Sequence, residues 1–194
     1  MAEQRILQRI VKREQLAGFY DPPKFLAYCK DCHRYGAMWC CPPYGQGEVP
    51  ALDRYPWCAL VGVQVRFDRP TLEQTQGKAA VRQVTEQALD QVRQAWDSRL
   101  WQAEAAHPGS LALYGGSCRL CRQCTRPSQP CRHPERMRLS LESIGFDVAG
   151  MADQLLGCPM LWAGERLPAY YLLVYALLSP EPIPPDFLGK CTAK

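Results

Sequence analysis

Apolar and polar positions change period several times along the chain, and each change predicts an element. Ile6, Leu7, Ile10 and Val11 recur at helical spacing, so residues 3–16 are expected to form a short amphipathic helix that "GFYDPP" breaks. A cysteine-bearing loop follows, from Cys29 to Pro43. "WCALVGVQVRF" alternates, with Ala59, Val61, Val63, Val65 and Phe67 on one side and Gln64 and Arg66 on the other, the period of a half-buried strand. From Gly77 to about Ala105, the residues Val81, Val84, Ala88, Val92, Ala95 and Trp96 return at steps of three and four until "HPGS" stops them. That is a long helix with one face for a sheet.

"SLALYGG" reads as a second short strand whose two glycines lead straight into a second cysteine run. Pro134 and Glu135 suit a first helical turn, Met137, Leu141 and Ile144 share a face, and Gly145 sits where a left-handed cap is wanted, so a helix is expected over about 134–144. "FDVAGMADQLLG" fits neither period cleanly. "AYYLLVYALL", bounded by "SPEPIPPDF", reads as a buried strand. This order predicts an α/β or α+β fold, a small sheet packed by a long helix, with two cysteine-rich metal-binding loops gathered at one edge.

A length of 194 residues, 47% of them hydrophobic, suits one core, so residues 1–194 are expected to form a single metal-binding domain with cysteine loops at 29–43 and 117–135. The net charge of +4 is too mild to nominate nucleic acid. "MAEQRILQRIVKREQ" lacks the apolar stretch and cleavage site of a secretory signal, and "AYYLLVYALL" is about half of a membrane span; the expected location is cytoplasmic, with no membrane partner. In a reducing compartment, 11 cysteines do not form a disulfide framework. Metal binding is the leading explanation.

The second cluster, Cys118, Cys121, Cys124 and Cys131, is spaced C-x2-C-x2-C-x6-C. Three cysteines at two-residue intervals wrap a short arc around one object, as ferredoxin-type loops do, whereas zinc ribbons pair two separate knuckles. This opening favours iron and sulfide, although the last spacing departs from the ferredoxin run. Gly115 and Gly116 are expected to let backbone N–H groups approach the sulfurs. Arg119, Arg122, Arg126, Arg132, Arg136 and Arg138 surround the run, either as a solvated face or as charges that favour a more reduced centre.

The first cluster, "CKDCHRYGAMWCCPP", carries Cys29, Cys32, Cys40 and Cys41 and ends in the Cys-Pro that closes bacterial ferredoxin loops. Adjacent Cys40 and Cys41 would strain to reach one centre, so one of them is not expected to be a ligand. "CKDCH" also matches covalent haem attachment, which needs export, and is set aside. His33 reads as a loop residue and His133 as a helix cap before Pro134. Cys58 reads as a small core residue, and Cys158 and Cys191 as outside candidates for completing the first site.

Together, "CKDCHRYGAMWCCPPYG" and "CRLCRQCTRPSQPCRHPERMRLSLESIGFDV" resemble the two motifs of the DUF2284 family of predicted metal-binding proteins. The family pattern falls on Cys29, Cys32, Cys41, Cys118, Cys121, Cys124 and Cys131, while Cys40 stands where a small polar residue is expected. The resemblance implies metal binding by these residues, with iron and sulfur in view. Seven thiols are one short of the eight that two four-iron clusters need. The first site would then take Cys40, Cys58, Cys158, Cys191 or a non-cysteine ligand, or leave an iron open as a Lewis acid; an open site would change its spectrum on adding cyanide.

The expected function is therefore a cytoplasmic iron–sulfur protein with one or two clusters, of the 4Fe-4S type, in electron transfer or redox metabolism with a redox partner protein. Zn in a purely structural binding module is the alternative, and an enzyme with an open iron a third. No nucleophile elbow, P-loop or dinucleotide fingerprint is present, and no catalytic residue is assigned among Asp147, Asp153 and Glu165. Tyr35, Trp39 and Tyr44 near Arg34 make only a weak case for stacking nucleic acid bases. A homo-oligomer would present the same sequence signature.

Overall fold

A computed structural model describes residues 3–189; Cys191 lies outside them. Four antiparallel strands form one sheet in the order β1-β2-β4-β3: β1 is Glu3–Lys12, β2 Trp57–Arg66, β3 Leu111–Leu113 and β4 Tyr170–Ser179. Strand β2 pairs along its whole length with β1 (Ile6 opposite Val63) and with β4 (Val61 opposite Tyr175). With helix α3, Lys78–Ala106, this is an α+β arrangement of a small sheet and one long helix, as expected.

The N-terminal segment is a strand, not the expected helix. Its apolar pairs mimic helical spacing because the sheet is covered on both faces. Ile6 and Ile10 point to the α3 side, while Leu7 and Val11 point to the other, and two interleaved period-2 patterns look like one period of 3.6. On the α3 side, Val61, Val63, Val65, Leu173, Tyr175 and Leu177 meet Val92, Trp96 and Leu100. On the opposite side, Cys58, Leu60, Leu172, Val174 and Ala176 meet Leu141, Ile144, Phe146 and Met151, with Cys40 among them. The cysteine loops thus belong to a layer lying over a sheet face and are not merely collected at its edge. Gln64, expected to face outward, is buried, donating to Cys158 Sγ at 3.2 Å and accepting from Arg66 at 2.8 Å.

Three short helices complete the chain. In α1, Pro22–Lys30, Asp21 accepts from Lys24 N at 3.2 Å and Pro22 and Pro23 open the first turn; "DPP" is a start signal. α2 is Arg69–Gln74. The ambiguous "VAGMADQ" becomes α4, Val148–Gln154, capped by Asp147 accepting from Gly150 N at 2.9 Å. The helix expected over 134–144 shrinks to a 3-10 turn, Glu142–Ile144. Tyr114 N donates to Leu139 O at 2.8 Å, holding the chain extended there, and Ser140 and Ser143 exchange backbone-to-hydroxyl bonds that start the turn late. Gly145 is left-handed, φ 102°, as the cap required.

Candidate metal centre

The second loop leaves β3 through Tyr114, Gly115 and Gly116. A Cβ on Gly115 would stand 2.9 Å from the Tyr175 ring, and one on Gly116 2.7 Å from Arg93 Nη2. The two glycines therefore make room for Tyr175 and Arg93. Gly116 N donates to Tyr114 O, and among the amides that reach sulfur are Cys118 N to Cys40 at 3.1 Å and His133 N to Cys131 at 3.4 Å.

Beyond the glycines, Cys118, Cys121, Cys124 and Cys131 line one small cavity. Met38, Trp39, Leu120 and Met137 supply apolar walls, and Cys40 and His133 also border it. Burial, with the neighbouring Cys40, Cys131 and Cys121, pushes the Cys118 thiol up to about 11. Crowded, desolvated thiols of this kind hold their protons until a cation replaces them.

The first loop presents Cys29 in the last turn of α1 and Cys32 just after it, and both line a second, more open cavity with Glu142, Phe25 and Phe146. Cys41 lies within electrostatic reach of both thiols; its hydrogen bond with Cys40 holds it below the ordinary thiol value, and Arg34 adds in the same sense. Cys40 is pushed up by the same contact and by burial. The Cys40 and Cys41 sulfurs are 3.8 Å apart; Cys40 borders the second-loop cavity, and Cys41 lines neither of the two.

Cys58 is fully enclosed in β2 and pushed up to about 12 by burial, and Cys158 receives the Gln64 amide. Neither lines a cysteine cavity. Every described cysteine is unpaired. Among the described residues, no three Cys, His, Asp or Glu side chains converge closely enough to hold a single metal ion.

Most of the arginines are tied into the framework. Arg126 donates to Met38 O at 3.0 Å, Cys41 O at 2.5 Å and Pro43 O. Arg138 pairs with Glu104, Arg119 with Asp90, and Arg136 lies over the Trp101 ring. Arg132 donates to Gln123 O at 3.0 Å.

These two cysteine-lined cavities occupy the region over which the family model of DUF2284, predicted metal-binding protein, matches the chain, residues 21–175. The chain belongs to the DUF2284 family. No curated protein and no solved structure gives a significant match. In this DUF2284 protein no described helix is long and apolar enough to cross a membrane.

Sequence reasoning missed a buried polar group under the second loop, because its members lie on different elements. Arg93 Nε, Asp97 Oδ1 and Tyr175 Oη are buried without a hydrogen-bond partner, and Asp97 lines a cavity with Tyr114, Arg119 and Arg136. Burial pushes the Asp97 carboxyl up to about 7, against the pull of Arg93 and Arg119. A carboxyl titrating near ~4 in the unfolded chain binds its proton more tightly when folded, so the stability it confers is full in acid and is lost as pH rises through about 7. Between roughly pH 5 and 8, wild type should lose about 2 kcal/mol more stability than Asp97→Asn. Urea unfolding at the two pH values measures this, and parallel curves for the two proteins would refute it.

Proposed function

We propose that this chain is an iron–sulfur protein with two centres, acting in electron transfer within redox metabolism in a reducing compartment. The second centre would be held by Cys118, Cys121, Cys124 and Cys131, and the first by Cys29, Cys32 and Cys41. The observation that carries the reading is the arrangement of the four thiols around one cavity. A zinc ion draws its sulfurs to within about 2.3 Å of a single point, whereas a cluster offers separate irons to thiolates spread around it. The donor set fits such a group: soft sulfurs, apolar walls, and amides of Cys118 and His133 aimed at sulfur.

When bound, such a group takes up and releases single electrons. The chain's own residues hold it out of water: Met38, Trp39, Leu120 and Met137 exclude solvent, lowering the dielectric around the donors. Cys41 of the first centre is bonded to Cys40, whose sulfur accepts from Cys118 N at 3.1 Å, so one peptide and one hydrogen bond would link the two centres.

Metal, sulfide and the visible spectrum, measured on protein purified without oxygen, test the proposal. About four irons per centre, with matching acid-labile sulfide and a visible band that bleaches on reduction, is the expected result. Stoichiometric zinc without sulfide would sink it and favour a zinc-stabilised module.

A further inference from the structure

We infer that Glu142 completes the first centre, its Oε2 joining Cys29, Cys32 and Cys41 as the fourth ligand of a cluster. This assignment rests on the two-centre reading above. Oε2 is buried and has no hydrogen-bond partner, and Glu142 lines the same cavity as Cys29 and Cys32. A buried carboxylate oxygen without a partner is costly, and a cation at the neighbouring thiols removes that cost.

The backbone holds Glu142 in place. Leu141, Ser143 and Ile144 around it are buried, the Ser140–Ser143 bonds fix the start of its turn, and Gly145 O accepts from Asp21 N at 3.0 Å. That last bond ties the turn to the start of α1, the helix that delivers Cys29. Of the other donors, Cys40 faces the second cavity, Cys58 is sealed in the sheet and Cys158 is engaged by Gln64. Asp147 borders the first cavity, but its Oδ1 caps α4.

Three thiolates and one carboxylate make four ligands, and with the second centre's four cysteines they total the eight that two four-iron clusters require. Oxygen is the harder donor and suits a thiophilic metal less well than sulfur does. The Glu142-bound metal is therefore the exchangeable position, reached from solvent past the exposed rings of Tyr28 and Trp162.

The test compares full-length wild type, Glu142→Gln and Glu142→Cys, each reconstituted with ferrous iron and sulfide without oxygen. Iron, sulfide and electron paramagnetic resonance spectra are recorded, with circular dichroism to confirm folding. The near-isosteric Glu142→Gln should either halve the bound iron or leave a cluster one iron short, visible as a new oxidised-state signal. Glu142→Cys should restore wild-type iron with an altered first-centre spectrum.

Wild-type iron and spectra in Glu142→Gln would overturn the assignment, as would a folded Glu142→Cys that loses the first centre. If wild type instead takes up zinc without sulfide, the redox reading falls separately. The same proteins then test the ligand by zinc content: a halved value in Glu142→Gln supports it and an unchanged value overturns it.

Discussion

Gly145→Ala should strip the first centre while leaving the second loaded. Gly145 sits at φ 102°, a left-handed conformation that costs a side-chain-bearing residue about 1–2 kcal/mol, and its added Cβ would lie 2.6 Å from Pro22 Cα. Backbone cannot rotate aside as a side chain can, so α1 must move. We expect a loss of about 3–5 kcal/mol, within the range of severe steric substitutions, and a melting temperature lower by roughly 10 °C for a chain of this size. Because α1 carries Cys29 and the turn before Gly145 carries Glu142, both sides of the first cavity shift together. Calorimetry with metal analysis checks this, and a variant with unchanged first-centre metal would contradict it.

Arg126→Ala should weaken both centres at once. The Arg126 guanidinium holds three carbonyls of the first loop and lies 5.1 Å from the Trp39 ring centroid. Trp39 Nε1 returns the contact, donating to Thr125 Oγ1 at 3.3 Å and Gln129 O at 3.2 Å in the second loop. Hydrogen bonds from a charged donor are worth about 1.5–3 kcal/mol each. Their loss together should cost about 3 kcal/mol and lower metal retention at each centre by roughly 10- to 100-fold, as changes behind metal ligands do. Arg126→Lys should rescue little, because an ammonium cannot fork between carbonyls as a planar guanidinium can. Chelator competition, following release from each centre, measures the effect; release confined to one centre would show that the loops are independent.

The elements with one clean period were legible: β2, β3, α3 and β4 all stand close to where alternation or a 3.6-residue stripe put them. β1 was misread because each of its faces has its own apolar neighbour, so Ile6 and Leu7 are both needed inside. α1 is hidden in the sequence because prolines read equally as a break or as a first turn, and the Asp21 cap decides for the turn. The two cysteine groups were visible as spacing, and the structure brings Cys118, Cys121, Cys124 and Cys131 around one cavity and Cys29 and Cys32 to another, with Cys41 within electrostatic reach of both. Glu142 was not legible as a site residue. A glutamate flanked by Leu141 and Ile144 looks like the polar side of a helix, and only the tight turn ending at Gly145 aims it inward.

The sheet is sided in its chemistry as well as in its packing. The hydrophobic cluster on the α3 face draws on all four strands, α3 and the segment through Phe187, with no cysteine among its buried members. The other face is roofed by Leu139, Ile144, Phe146 and the loops themselves. Cooperative units of unequal stability follow from such a division when one face depends on loops and the other on a helix. If the thiols hold metal as proposed, its removal should loosen the loops over that face while the α3 face, which carries no cysteine among its buried members, keeps its packing.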